Sequence, residues 1–236
     1  MRGIYHRDDF VTQGESFDTK YIDKDCNGKW SEFKEFFLEF TDYKCPICEK
    51  TIDSYDDIDH FRPKHAGYPF LKCKYKNYMI MCADCNRGYK RTYFPLYDES
   101  KRAMCEEELE HEKPLIVNPC VDNIYDLFEL DFRVSIKGVK ILVLIPNRRL
   151  ASDSYEYLKA IETIKFYGLG DCDGTSDMKN CRISLLKGHY FIFNKLLEAF
   201  INRENDSETF RKVKEEIQSL NHGYYEFIKL GLFNSN

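Results

Sequence analysis

The chain has 236 residues, 43% of them apolar, and a formal net charge of −5. That apolar share supplies a core and excludes wholesale disorder. No stretch reaches the ~18 uninterrupted apolar residues of a membrane span, and the acidic balance argues against coating nucleic acid over the whole surface.

In chain order, residues 1–29 read as an irregular N-terminal arm. Its opening, Met1-Arg-Gly-Ile-Tyr-His-Arg, lacks the apolar stretch of a secretory leader, which predicts a cytoplasmic protein. Ser31 is an expected N-cap, with Glu32 in the first turn. Trp30, Phe33, Phe36, Phe37 and Phe40 then recur at near-helical spacing and predict a core-facing stripe. A cysteine knuckle, Lys44 to Lys50, precedes a strand over Ile58–Phe61. After a loop rich in Gly, Pro and Lys, a second strand covers Tyr78–Cys82, and a helix is expected from Asn86 onward. The local order is therefore ββα, within a core assigned to residues 30–100.

Residues 101–150 read as an acidic connector and a β-hairpin, Phe128–Val134 with Val139–Ile145, turned at Lys137-Gly138. Residues 151–236 read as helical: Tyr155–Ile164, Ile183–Ile201 and Phe210–Phe227, with a loop at Asp171–Asp177. This region is larger than a single small module needs, and partner docking is a candidate role for it. The expected fold class is α+β.

Four of the ten cysteines form two CxxC pairs, Cys45/Cys48 and Cys82/Cys85. Each pair makes a tight turn that aims two sulfurs at one point, and two such turns complete the tetrahedron of a structural zinc. The other six (Cys26, Cys73, Cys105, Cys120, Cys172, Cys181) show no ligand spacing and are expected to be free, partly buried thiols.

Between and beside the pairs lie Asp59-His60 and Asn86. An imidazole whose ordinary pKa is ~6.5 suits a general base. A carboxylate and a carboxamide oxygen suit a hard cation such as Mg²⁺, with Mn²⁺ as a substitute, rather than a thiolate-loving metal. Strand alternation is expected to turn Asp59 away from His60. Asp56 and Asp57 compete with Asp59 as ligand, and His65 is a second base candidate without an adjacent carboxylate. His6, His111, His189 and His222 read as ordinary surface or core residues. From His60 to Pro95 the chain carries eight Lys/Arg against one acid, Asp84, so a phosphate-attracting patch coincides with these motifs.

The runs Cys45-Pro-Ile-Cys48-Glu49, Ile58-Asp59-His60-Phe61-Arg62-Pro63-Lys64, Asn77-Tyr-Met-Ile-Met-Cys82 and Cys82-Ala-Asp-Cys85-Asn86-Arg87-Gly88-Tyr89-Lys90 resemble the HNH, or ββα-metal, endonucleases. More narrowly they resemble the PtuB-type HNH proteins of Septu and retron anti-phage systems. Phe94-Pro95-Leu96, Leu115-Ile-Val-Asn118-Pro119 and Ile161-Glu-Thr-Ile164 extend the similarity across about residues 30–200.

The resemblance implies a metal-dependent DNA endonuclease with a zinc-stabilised core. His60 would be the base, and Asn77 would orient it through the loop backbone. Asp59 and Asn86 would hold Mg²⁺, with Asn86 standing where many relatives have His. Arg62, Arg87 and Lys90 would contact substrate phosphate. The partner would resemble an SMC/ABC-like ATPase. The alternative is a non-catalytic zinc ribbon that binds nucleic acid or protein.

Overall fold

The N-terminal segment is where the chain departs most from its sequence reading. In a computed structural model, which describes residues 3–53, 55–65, 67–135, 138–170 and 182–201, it forms helix α1, Asp8–Lys20. Phe10, Gly14 and Phe17 are buried along it, and Tyr21 follows at the next helical step. That is a helical stripe with a glycine at its second position, which is why it does not read as apolar periodicity. Phe10 packs edge-on against Phe33, Phe37 and Tyr75, with ring centroids 5.6, 5.3 and 5.6 Å away.

Ser31 is not an N-cap. A 3₁₀ turn, Lys29–Phe33, leads straight into helix α2, Lys34–Phe40, and Ser31 Oγ donates to Gly28 O at 2.8 Å. Of the aromatic stripe, Phe33 and Phe37 are fully buried.

The two strands of the ββ unit pair antiparallel: β1, Asp57–His60, with β2, Tyr78–Met81, in the register Asp57↔Met81 to His60↔Tyr78. Every residue of β2 is buried, whereas β1 alternates. The first knuckle closes through Cys45 N–H to Lys50 O (2.8 Å) and Glu49 N–H to Cys45 O (2.7 Å), with Glu49 at φ 55°. Cys82 leads from β2 into a seven-residue π-wound turn, Asp84–Lys90, here called the knuckle helix.

Helix α3, Ile124–Leu127, precedes the second sheet, a hairpin of β3, Phe128–Val134, and β4, Lys140–Pro146. Its register runs from Phe128↔Pro146 to Val134↔Lys140, one residue beyond the expected second strand. Helix α4, Tyr155–Tyr167, starts at Ser154, whose Oγ accepts from Tyr157 N–H at 3.2 Å, and stops at Gly168 in the left-handed region. Helix α5, Ile183–Ile201, packs on β4. The fold is thus mixed α/β with two small antiparallel sheets. One buried core runs without a break from Ile4 to Leu169, through α1, both knuckles, the connector and α4.

Cys26 and Cys73, expected as free thiols, form a disulfide. Cys45, Cys48, Cys82, Cys85, Cys105 and Cys120 remain free. The loop at Asp171–Asp177, Cys172, Cys181, His222 and the helix expected over Phe210–Phe227 lie outside the described residues. Among the described residues, no helix is long and apolar enough to cross a membrane.

Candidate metal centre and active-site cleft

The four CxxC sulfurs converge. Cys45, Cys48, Cys82 and Cys85 are all buried, with their Sγ atoms within 4.8 Å of one another. Cys48 Sγ and Cys82 Sγ are 3.7 Å apart, against roughly 3.8 Å for the edge of a tetrahedron whose metal–sulfur bonds are about 2.3 Å. Cys85 N–H points at Cys82 Sγ at 3.5 Å, the amide-to-sulfur contact of a tight knuckle. Hydrogen bonds from Cys45, Cys48 and Cys85 hold the Cys82 thiol far below its ordinary range, while burial pushes Cys45 up. The set can hold a metal ion such as zinc.

A cleft of about 320 Å³ opens beside this centre, and Asp59, His60 and Asn86 all line it. Asp57, His65, Trp30, Lys34, Lys64 and Arg91 line it as well. His60, buried, sits between the edges of Trp30 and Tyr78, each 5.0 Å from its ring centre. Its Nε2 lies 3.0 Å from Lys72 O. A carbonyl can only accept, so Nε2 carries the proton and the lone pair is on Nδ1. Burial lowers the imidazole pKa to about 4, although the Lys72 carbonyl pulls the other way. The ring is therefore neutral at physiological pH.

Asn77, also buried, clamps the turn after His60. Its Oδ1 accepts from Arg62 N–H at 2.8 Å, and its Nδ2 donates to Arg62 O (3.0 Å) and Leu71 O (3.3 Å). The same Lys72 carbonyl that holds His60 accepts from Tyr78 O–H at 2.9 Å.

Asp59 faces the knuckle helix, where Lys90 Nζ lies 2.7 Å from its Oδ2 and donates to His60 O at 2.7 Å. Burial raises the Asp59 carboxyl pKa against the attraction of that ammonium. Lys90 is only 1% exposed. The expectation that Lys90 meets substrate phosphate is corrected: it is an internal cross-link between the knuckle helix and β1. Arg62 has an internal partner as well. Its Nε donates to Glu112 Oε2 at 2.7 Å, and Glu112 also accepts from Tyr68 O–H at 2.7 Å and Ala103 N–H at 2.9 Å. That guanidinium belongs to a buried network rather than to the cleft. Arg87 is exposed and paired with Asp57 at 3.2 Å.

The rival ligand Asp56 is spent on backbone, accepting from Ala83 N–H at 2.9 Å and Asp53 N–H at 3.1 Å. Asp57 remains at the cleft.

Sequence reading missed several of the residues around the site. Trp30 reads as core, but it borders the cleft and carries Lys64 Nζ 3.8 Å above its ring. Arg182, 97 residues from Cys85, donates from Nη1 to Cys85 Sγ at 3.2 Å. No local motif signals a contact of that separation.

No protein-family model matches the chain, and no solved structure matches it. It is 35% identical over 159 residues to Septu protein PtuB of Bacillus mycoides (strain KBAB4), a stretch covering 58% of this chain and 53% of that protein. The chain spans about half the length of that relative. This likeness supports a Septu-type relationship.

Proposed function

We propose that the chain is a metal-dependent HNH endonuclease of the ββα-metal type that hydrolyses DNA phosphodiester bonds in anti-phage defence, acting with an SMC/ABC-like ATPase partner. The observation that carries the reading is the convergence of Asp59, His60 and Asn86 on one cleft beside the four-sulfur centre. A module that only binds nucleic acid does not need that trio. Similarity to the Septu protein supports the defence setting.

In this reading, water enters the cleft and gives a proton to His60 Nδ1 as its oxygen attacks phosphorus. The bond from phosphorus to the departing sugar oxygen breaks, and that oxygen takes a proton from solvent. Lys72 O fixes the ring through Nε2–H, and Asn77 holds the following turn so that the ring keeps its aim. Asp59 and Asn86 offer oxygen donors and no sulfur, which fits Mg²⁺ or Mn²⁺. Such a cation, when bound, supplies charge relief on the phosphate. Lys64 and Arg91 bring positive charge to the cleft. Zinc at the cysteines is structural.

One observation favours the non-catalytic alternative. The carboxylate assigned to the cation already has a buried ammonium 2.7 Å away. The two readings part in one assay: plasmid DNA with and without Mg²⁺, incubated with the isolated chain and with its complex with the ATPase. Mg²⁺-dependent cutting is expected, and His60→Ala is expected to lower its rate by roughly 10²–10⁴. No cutting in either preparation, or equal cutting by His60→Ala, sinks the nuclease reading.

A further inference from the structure

We propose that Arg182 is a positioning residue of the cysteine-held metal, a guanidinium hydrogen-bonded to a ligand sulfur, and that the metal centre thereby docks the start of α5 onto the knuckle helix. The inference rests on the metal reading of the four cysteines and is independent of the nuclease chemistry.

The backbone sets the side chain in place. Arg182 N–H donates to Gly168 O at 3.2 Å, just past α4, and Arg182 O accepts from Leu186 N–H at 3.0 Å in the first turn of α5. From that anchor the side chain, 9% exposed, reaches three residues of the knuckle helix. Nη1 lies 3.2 Å from Cys85 Sγ, Nη2 lies 3.9 Å from Asp84 Oδ2, and the guanidinium sits 5.2 Å from the Tyr89 ring centre. α4 supports the same contact, packing on the knuckle helix with its Tyr167 ring 6.5 Å from Tyr89.

Charge explains why an arginine stands there. Four thiolates on a divalent ion carry an excess of roughly two negative charges, and a buried excess of that kind is costly without compensation. Lys50, another cation nearby, is half exposed and paired with Asp84 at 3.2 Å, so its charge is largely met by that acid. Arg182 instead places N–H directly on sulfur. A hydrogen bond to a metal-bound thiolate draws electron density from it, and groups in this position commonly change metal affinity 10–100-fold. The coupling runs both ways: without the metal's anionic cage, the buried guanidinium loses its counter-charge and α5 loses its hold on the knuckle.

The test uses the full chain as wild type, Arg182→Met and Arg182→Lys. Zinc affinity is measured by chelator competition, and the cobalt-substituted protein is examined for its thiolate-to-metal charge-transfer band. Arg182→Met is expected to weaken zinc about 10–100-fold and to shift the cobalt band to longer wavelength, because the sulfur regains electron density. Arg182→Lys should recover part of the affinity. In the wild type, zinc removal should speed amide exchange over residues 183–195. Affinity within about twofold of wild type together with an unshifted band in Arg182→Met overturns the proposal. If that variant does not fold, unchanged exchange over 183–195 on zinc removal overturns it instead. A wild type that binds no zinc defeats the metal reading itself, a failure distinguishable from an indifferent Arg182.

Discussion

His60 is an imidazole set largely out of solvent at the edge of the cleft. The rings of Trp30 and Tyr78 and the strand around it bury most of the ring, and that desolvation outweighs the attraction of the Lys72 carbonyl, leaving a pKa of about 4. In the proposed mechanism the working form is the neutral ring, so activity should be lost only where the ring gains a proton, as pH falls through about 4. Between pH 6 and 8 the rate attributed to His60 should be flat; a kcat/KM profile against pH checks this, and a limb centred near 6.5 would mean the ring is solvated when it acts. Cysteine spacing and the Asp-His pair are legible from sequence because their geometry is local. The basic residues are not, because a cation's partner is set by the fold. Glu112, which claims Arg62, lies 50 positions away, and Lys90 reaches back 30 positions to His60 O. Local charge density predicts a phosphate patch, while long-range pairing turns part of it into internal cross-links.

At the scale of elements, the hairpin and α4 are readable because strand alternation and the apolar spacing from Tyr155 to Ile164 act over a few residues. Helix α1 is not, since its stripe depends on a glycine for contact. A Cβ on Gly14 would sit 2.3 Å from Tyr75 Cδ2, and that ring is itself fixed against Phe10 and Phe33. Replacing glycine by alanine inside a helix ordinarily gains about 1 kcal/mol, whereas forcing a methyl into a filled core costs about 1–3 kcal/mol. The contact is close enough for the clash to win. Gly14→Ala should lose about 1–2 kcal/mol in urea denaturation, and an equal or higher midpoint would show that Tyr75 yields freely. The knuckle helix is the other element whose form escaped the sequence: a helix from Asn86 was expected, and its π winding over seven residues carries Lys90 inward to β1.

Across the whole molecule, the Cys26–Cys73 bridge joins the N-terminal segment to the loop before β2, residues 47 apart in sequence. Closing a loop of that length is worth up to about 4 kcal/mol through the unfolded chain. Reduction, or Cys26→Ser with Cys73→Ser, should lower the urea midpoint accordingly, and an unchanged midpoint would mean that the bridge constrains nothing. Other ties reach the same loop: Tyr5 O–H donates to Lys76 O at 2.8 Å, Asp18 accepts Tyr75 N–H at 2.9 Å, and Asp25 pairs with Lys72 at 2.7 Å. Anyone trimming this chain to a minimal fragment by its cysteine motifs would cut near residue 30. That cut would sever the moorings of the very carbonyl that steers the imidazole, so the shortest piece able to keep its aim has to retain the first turn of the polypeptide.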